Sequence, residues 1–240
     1  MVTQDPATQE PRLLEAAAAE HGLAVRAIHA PFLLMTRRVW GTDPVHKIYR
    51  AVHLAELVGA STVVVHPPCR WQARYRRWLD ERLAEFSATT GVTVAVENMF
   101  PVRVGDRGVH FHAPRGFEGL DGAPHLVLDT SHAAVAGADI RAAFDSGRDR
   151  IRHIHLSNNA GKGWDSHLPV HLEGVLPIPE FVGDVAAAGF DGLISLEYDL
   201  RPWLRDDDAL HGVLVRNREL VEGLLAGDAR RRVPVPRRRT

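Results

Sequence analysis

The sequence has little cysteine: Cys69 is the only one in 240 residues. No intramolecular disulfide can form, so a reducing, cytoplasmic setting is the expectation. Any bound metal has to rely on nitrogen and oxygen donors, and 14 histidines are there to supply the nitrogen. The chain also lacks an apolar run of the roughly 18 residues that a membrane span needs. Residues 1–12 carry no signal-peptide core, and no membrane partner is expected. Charge of one sign is missing as well. Lys and Arg number 29 against 30 Asp and Glu, and a net charge of −1 disfavours bulk binding of a polyanion such as nucleic acid. What is present, 45% hydrophobic and 25% charged residues, is the composition of a folded globular chain.

Short β-branched runs alternate with longer helical patterns. The runs lie at 23–29, 61–66, 92–97, 125–129, 151–155 and 192–197, and helical patterns cover 43–59, 70–90, 139–150, 178–189 and 206–226. Asp43-Pro44 is a helix start, an acidic N-cap followed by proline in the first turn. Gly59, Gly91 and Gly189 stand where C-terminal caps belong. Repeated strand–helix alternation predicts a parallel sheet flanked by helices, an α/β fold of the (β/α) barrel type. The expected organisation is a flexible N-terminus over 1–11, one barrel domain over 12–226 and a basic, disordered tail over 227–240. Two connections, 99–124 and 157–177, are long enough to suggest functional loops.

Each β run ends on a residue able to bind a metal: His29, His66, Glu97, Asp129, His155 and Glu197 in order. Their spacing of 26 to 42 residues is about one βα unit. Parallel barrel strands open their C-terminal ends at one mouth, so residues far apart in sequence are expected to converge there. Strand parity agrees. With Glu97 inward, Ala95 and Thr93 are inward too, and with Glu197 inward so is Ser195. His153 and His155 share a face. Two local spacings add donors: Asp129-Thr-Ser-His132 just past a strand end, and Asp165-Ser-His167 in the second long loop. Carboxylates with imidazoles and no thiolate suit zinc or manganese.

At these residues the sequence resembles the xylose-isomerase-like TIM-barrel superfamily. The matching segments are His29-Ala-Pro-Phe-Leu, Val63-Val-Val-His66-Pro, Val96-Glu97-Asn98, Leu128-Asp129-Thr-Ser-His132, His155-Leu-Ser-Asn158, Asp165-Ser-His167-Leu-Pro and Leu196-Glu197. The resemblance covers about residues 20–225. Its sugar and sugar-phosphate isomerase and epimerase branch implies one divalent ion, manganese or zinc, on Glu97, Asp129, His155 and Glu197. It also implies that Glu97 and Glu197 move protons as the catalytic pair on a sugar-like small molecule. The endonuclease IV branch uses three zinc ions on abasic DNA. All of its ligands have counterparts here, the six strand-end residues plus His132, Asp165 and His167, and Phe32-Leu33 falls where that branch wedges DNA. A non-catalytic barrel is a third outcome, because fold does not fix function. Two departures favour the isomerase branch. The nuclease's glycine-rich stretch is replaced by Leu168-Pro-Val-His171-Leu-Glu-Gly174-Val, and its Arg-bearing DNA-contact loop has no counterpart.

By the same resemblance the six β runs correspond to strands three to eight, so the barrel is expected to lack its first two strands. Other residues carry weaker signals. Five arginines between 70 and 82 are expected on a solvated helix face, with Trp71, Tyr75, Trp78, Leu79 and Phe86 packing on the other. Arg103, Arg107, His110 and His112 are candidates for binding phosphate or sugar hydroxyls. Cys69 reads as a bystander. Lys162 sits in Gly161-Lys-Gly163, which lacks the glycine spacing of a phosphate loop.

Overall fold

A computed structural model describes residues 1–31, 39–104, 107–112 and 116–227, with the side chains of 103, 104 and 107 left aside. Phe32, Leu33 and the tail 228–240 lie outside the described residues, as do the Arg103 and Arg107 side chains. The strands are β1 Ala27–His29, β2 Thr62–Val65, β3 Thr93–Glu97, β4 Val102–Val104, β5 Arg107–Val109, β6 Leu126–Asp129, β7 Ile151–Leu156 and β8 Leu193–Leu196. The helices are α1 Pro11–Glu20, α2 Pro44–Val58, α3 Ala73–Thr89, α4 Thr130–Ala136, α5 Ile140–Gly147, α6 Ile178–Ala187 and α7 Asp207–Leu225. Among the described residues six strands run parallel, β1, β2, β3, β6, β7 and β8, and β4–β5 is a separate antiparallel hairpin. Six is the number of strands expected from the β runs.

The chain forms two compact units. Unit one comprises Met1–Met99 and Phe111–Val127; unit two comprises Phe100–His110 and the chain from Leu128 onward. Strand β6 gives its first two residues to unit one and its last two to unit two.

Unit one carries the order β1-β2-β3-β6. Parallel registers align His29 with Val64, Val64 with Ala95, and Glu97 with Val127. Registered residues in a parallel pair share a face, so Val64, Ala95 and Val127 form one fully buried layer, with Glu97 two residues beyond Ala95 on the same side. Valines at β2 and β3 are buried on both faces, as a sheet covered by helices requires. The covering helices bring Ala51, Leu54, Ala55, Leu79 and Leu83. Asp43 caps α2 as its sequence predicts, its carboxylate accepting from the Val45 and His46 amides at 2.9 and 3.2 Å. Gly59 closes the helix in the left-handed region at φ 69°.

Helix α3 starts at Ala73, later than the arginine-rich pattern implies. Pro67 and Pro68 supply no amide hydrogen, and the Gln72 side chain accepts from the Cys69 amide at 2.7 Å, holding 69–72 as a turn. Trp71 is therefore not on the packing face of the helix. It is exposed, its ring edge-on to Phe111 at 6.0 Å. The arginines 74, 76, 77 and 82 of the helix are exposed as expected, and Arg70 is exposed in the turn before it.

Unit two carries the order β6-β7-β8. Its core packs Ile151, Ile154 and Leu156 of β7 with Phe144 of α5 and Phe181, Val182 and Val185 of α6. Helix α4 has no counterpart in the sequence patterns, since Thr, Ser and His are indifferent helix formers. It forms because Asp129 caps it, Oδ1 accepting from the His132 amide at 2.7 Å, and Gly137 ends it at φ 72°. The hairpin β4–β5 inside the first long loop is likewise unforeseen. No helix among the described residues is long and apolar enough to cross a membrane.

Candidate metal centre

Unit one gathers His29, His66 and Glu97. Glu97, at the end of β3, is almost fully buried, and its Oε2 lies 3.0 Å from Nε2 of His66 and 3.4 Å from Nε2 of His29. The two imidazoles meet edge to face at 5.0 Å. The turn after β2 braces His66, whose carbonyl accepts the Tyr75 hydroxyl at 2.6 Å. His112 is tied to the same turn: its Nδ1 lies 2.9 Å from the Pro67 carbonyl and its backbone bridges to Cys69. Cys69 is buried, and burial pushes its thiol up, away from the reactive thiolate. That suits a bystander.

Unit two gathers the remaining six. Asp129, fully buried at the end of β6, gives Oδ1 to the α4 cap, and its Oδ2 lies 3.8 Å from Nδ1 of His155. That same His155 nitrogen is 2.8 Å from Oε2 of Glu197. Below them the β7–β8 register sets His155 against Ser195, and His153 Nε2 meets Ser195 Oγ at 2.7 Å. A polar layer thus underlies this part of the site.

The loop after β7 brings the second set. Asp165 Oδ2 lies 2.7 Å from Nε2 of His167 and 3.3 Å from Nε2 of His132. Burial alone raises an acid's pKa, but hydrogen bonds to His132 and His167 hold the Asp165 carboxyl far below the usual carboxylate range. Burial likewise works against charge on His167. The hydrogen bond to Asp165, and the charges of Asp129, Asp165 and Glu197, overcome it and push its pKa up to about 9. His167 has a φ of 39°, an unusual conformation for a non-glycine residue. The residue after it is pinned by paired backbone bonds, Asn158 N to Leu168 O at 2.7 Å and Leu168 N to Asn158 O at 2.9 Å. Asp129, His132 and His167 each offer a ligand atom within 4.8 Å of the others.

The donors in each unit fit a divalent cation on chemical grounds. They are carboxylates and imidazoles with no thiolate among them, and Glu97 in unit one and Asp129 in unit two are buried deeply enough that an uncompensated negative charge is costly. Sequence reasoning missed Ser131, Ser157 and Asn159, whose side chains hold the loop donors. Ser157 Oγ lies 3.3 Å from Nδ1 of His167. The signal available was the Ser-Asn-Asn run directly after β7 and the serine inside Asp129-Thr-Ser-His132.

A family model described as the xylose isomerase-like TIM barrel matches residues 3–216. An uncharacterized protein of Mycobacterium leprae is 36% identical over 216 residues, covering 82% of this chain and 77% of that protein. Among solved structures, a D-tagatose 3-epimerase-like protein aligns with a TM-score of 0.60 at 22% identity, over 88% of this chain and 84% of its own. An AP endonuclease, family 2, from Brucella melitensis aligns with a TM-score of 0.58 at 15% identity, over 79% and 78%. At such identities these structures speak for the fold alone.

Proposed function

The chain belongs to the xylose isomerase-like TIM barrel family, and on that premise we propose that it is a metal-dependent isomerase or epimerase of a sugar or sugar phosphate. Glu97, Asp129, His155 and Glu197 are the proposed ligands of one divalent ion, manganese or zinc. A divalent ion, when bound, supplies Lewis acidity to a carbonyl and its neighbouring hydroxyl. Glu97 and Glu197 are the proposed proton carriers. One removes the proton from the carbon between those oxygens, and the other returns a proton to the opposite face or to the adjacent carbon.

The observation that carries this reading is the pairing of each glutamate with an imidazole at hydrogen-bond distance, Glu97 with His66 at 3.0 Å and Glu197 with His155 at 2.8 Å. A proton accepted by Glu97 then stays within one hydrogen bond of the His66 nitrogen, and at Glu197 the imidazole of the proposed ligand His155 fixes the carboxylate's direction. The test is to supply the purified protein with manganese or zinc and offer a panel of ketoses and ketose phosphates. Interconversion of epimers or of ketose and aldose is expected, and its loss in Glu97→Gln. Full activity in Glu97→Gln contradicts the proton-transfer role.

One observation favours a second reading, a trinuclear-zinc phosphodiesterase acting on abasic DNA. Asp129, His132 and His167 already form a compact donor group, and His29, His66 and Asp165 stand beside other donors. Cleavage of a duplex bearing a single abasic site, together with three ions per chain, would establish it in place of the isomerase.

A further inference from the structure

The loop between β7 and α6 is organised around two side chains that are not among the proposed ligands. Asn159 is buried and acts as the hub. Its Oδ1 accepts from the Gly161 amide at 2.8 Å, and its Nδ2 donates to the Trp164 carbonyl at 3.1 Å and to Ser131 Oγ at 2.9 Å. Ser131, fully buried on α4, lies 2.5 Å from Oδ1 of Asp165. The direction of this chain is fixed by chemistry. The amide nitrogen can only donate to the serine oxygen, and a carboxylate can only accept, so the single Ser131 proton points at Asp165. One carboxylate oxygen is thereby held by a neutral donor. The other, Oδ2, is the oxygen facing His132 and His167.

We propose that Ser131 and Asn159 are positioning residues that lock Asp165 with Oδ2 turned to His132 and His167, the loop donors that the endonuclease IV resemblance already implies as metal ligands. The inference rests on the reading that this chain binds divalent metal, and deepens it by naming what sets the geometry and affinity of the loop site. Partners one bond removed from the ligands orient them, and their loss typically lowers metal affinity about 10- to 100-fold. Asn159→Asp is the sharpest variant. It is isosteric and keeps an acceptor for the Gly161 amide, but it removes the donor to Ser131 Oγ and offers the serine proton a competing acceptor.

The experiment titrates zinc into the metal-free full-length protein against a chromophoric chelator, with Ser131→Ala, Asn159→Asp, the double variant and Ser166→Ala. Ser166 serves as control: it is buried in the same loop and accepts from the Ala160 amide at 2.9 Å, but it has no bond to Asp165 among those described. Two or more ions are expected in the wild type. The weaker should lose about 10- to 100-fold in affinity in Ser131→Ala and in Asn159→Asp. The double variant should lose no more than the larger single loss, and Ser166→Ala should lower the melting temperature without moving the affinity. Unchanged affinities in Ser131→Ala overturn the positioning role while leaving the metal reading intact, and so does uptake of a single ion that every variant retains. A wild type that takes up no ion overturns both.

Discussion

In unit one a single carboxylate, Glu97, lies between His29 and His66, whereas in unit two Asp129, Asp165 and Glu197 share His132, His155 and His167. The supports differ as much as the numbers. Glu97 ends a strand whose inward neighbour Ala95 is flanked by Val64 and Val127, so its place is set by backbone register and an apolar layer. In unit two the layer beneath is polar, His153 on Ser195, and half of the donors ride on α4 and a loop held by side-chain amides and hydroxyls. A carboxylate placed by a sheet tolerates change around it. One placed by a chain of hydrogen bonds depends on each link, because every buried polar group left without its partner costs free energy.

The comparison breaks most visibly at Glu97. Glu97→Gln keeps the shape and the strand, so folding should persist while activity falls about 10²- to 10⁴-fold, the range for losing a positioned acid–base group. A circular-dichroism melt beside the kinetic assay separates the two effects. A melt that collapses with the activity would mean that the unit-one carboxylate is structural.

Next in size is the clasp that ties the unit-two loop to α7. Asn217 is fully buried, accepts from the His171 amide at 3.1 Å, and donates to His171 Nδ1 at 2.8 Å and to the Val213 carbonyl at 2.5 Å. Asn217→Ala leaves these groups unsatisfied and should cost about 1–3 kcal/mol in denaturant unfolding. No loss would show that the loop is anchored elsewhere.

The smallest expected effect is the pH response of the same clasp. Burial first, and then the Arg216 charge, holds the His171 pKa below its ordinary 6.5. The folded state therefore resists a proton that the unfolded chain accepts. The contribution is complete above about pH 6.5 and declines as pH falls below it, by less than about 1 kcal/mol for a half-buried ring. Melts at about pH 5 and about pH 7.5 measure it, and His171→Gln should shrink the difference between them.

The six parallel strands were legible because each is a β-branched run that closes on a polar residue, and because parity turns a strand end into a direction. Within unit one His29, His66 and Glu97 come together, and within unit two Asp129, His155 and Glu197 do. Helix α4 was not legible: its identity depends on Asp129 accepting from the His132 amide, a contact that no periodicity encodes. The β4–β5 hairpin lies in a stretch rich in Gly, Pro and Arg, where the alternation of Val102-Arg103-Val104 is too short to mark a strand. Trp71 was misplaced because the helical pattern was begun at Arg70, whereas the Gln72 side chain accepts from the Cys69 amide and makes 69–72 a turn. Gly174 shows what a motif residue can conceal. A Cβ there would fall 2.3 Å from Asn158 Oδ1, so the glycine lets the Asn158 side chain approach.

The proposed function requires this chain to hold a divalent ion. The most direct test is metal content per chain, measured by elemental analysis on protein purified without chelator, for the wild type and for Glu197→Gln. The prediction is about one equivalent or more of zinc or manganese in the wild type and a clear deficit in the variant. A wild type with only trace metal, which fails to take up zinc or manganese when either is supplied, would contradict it.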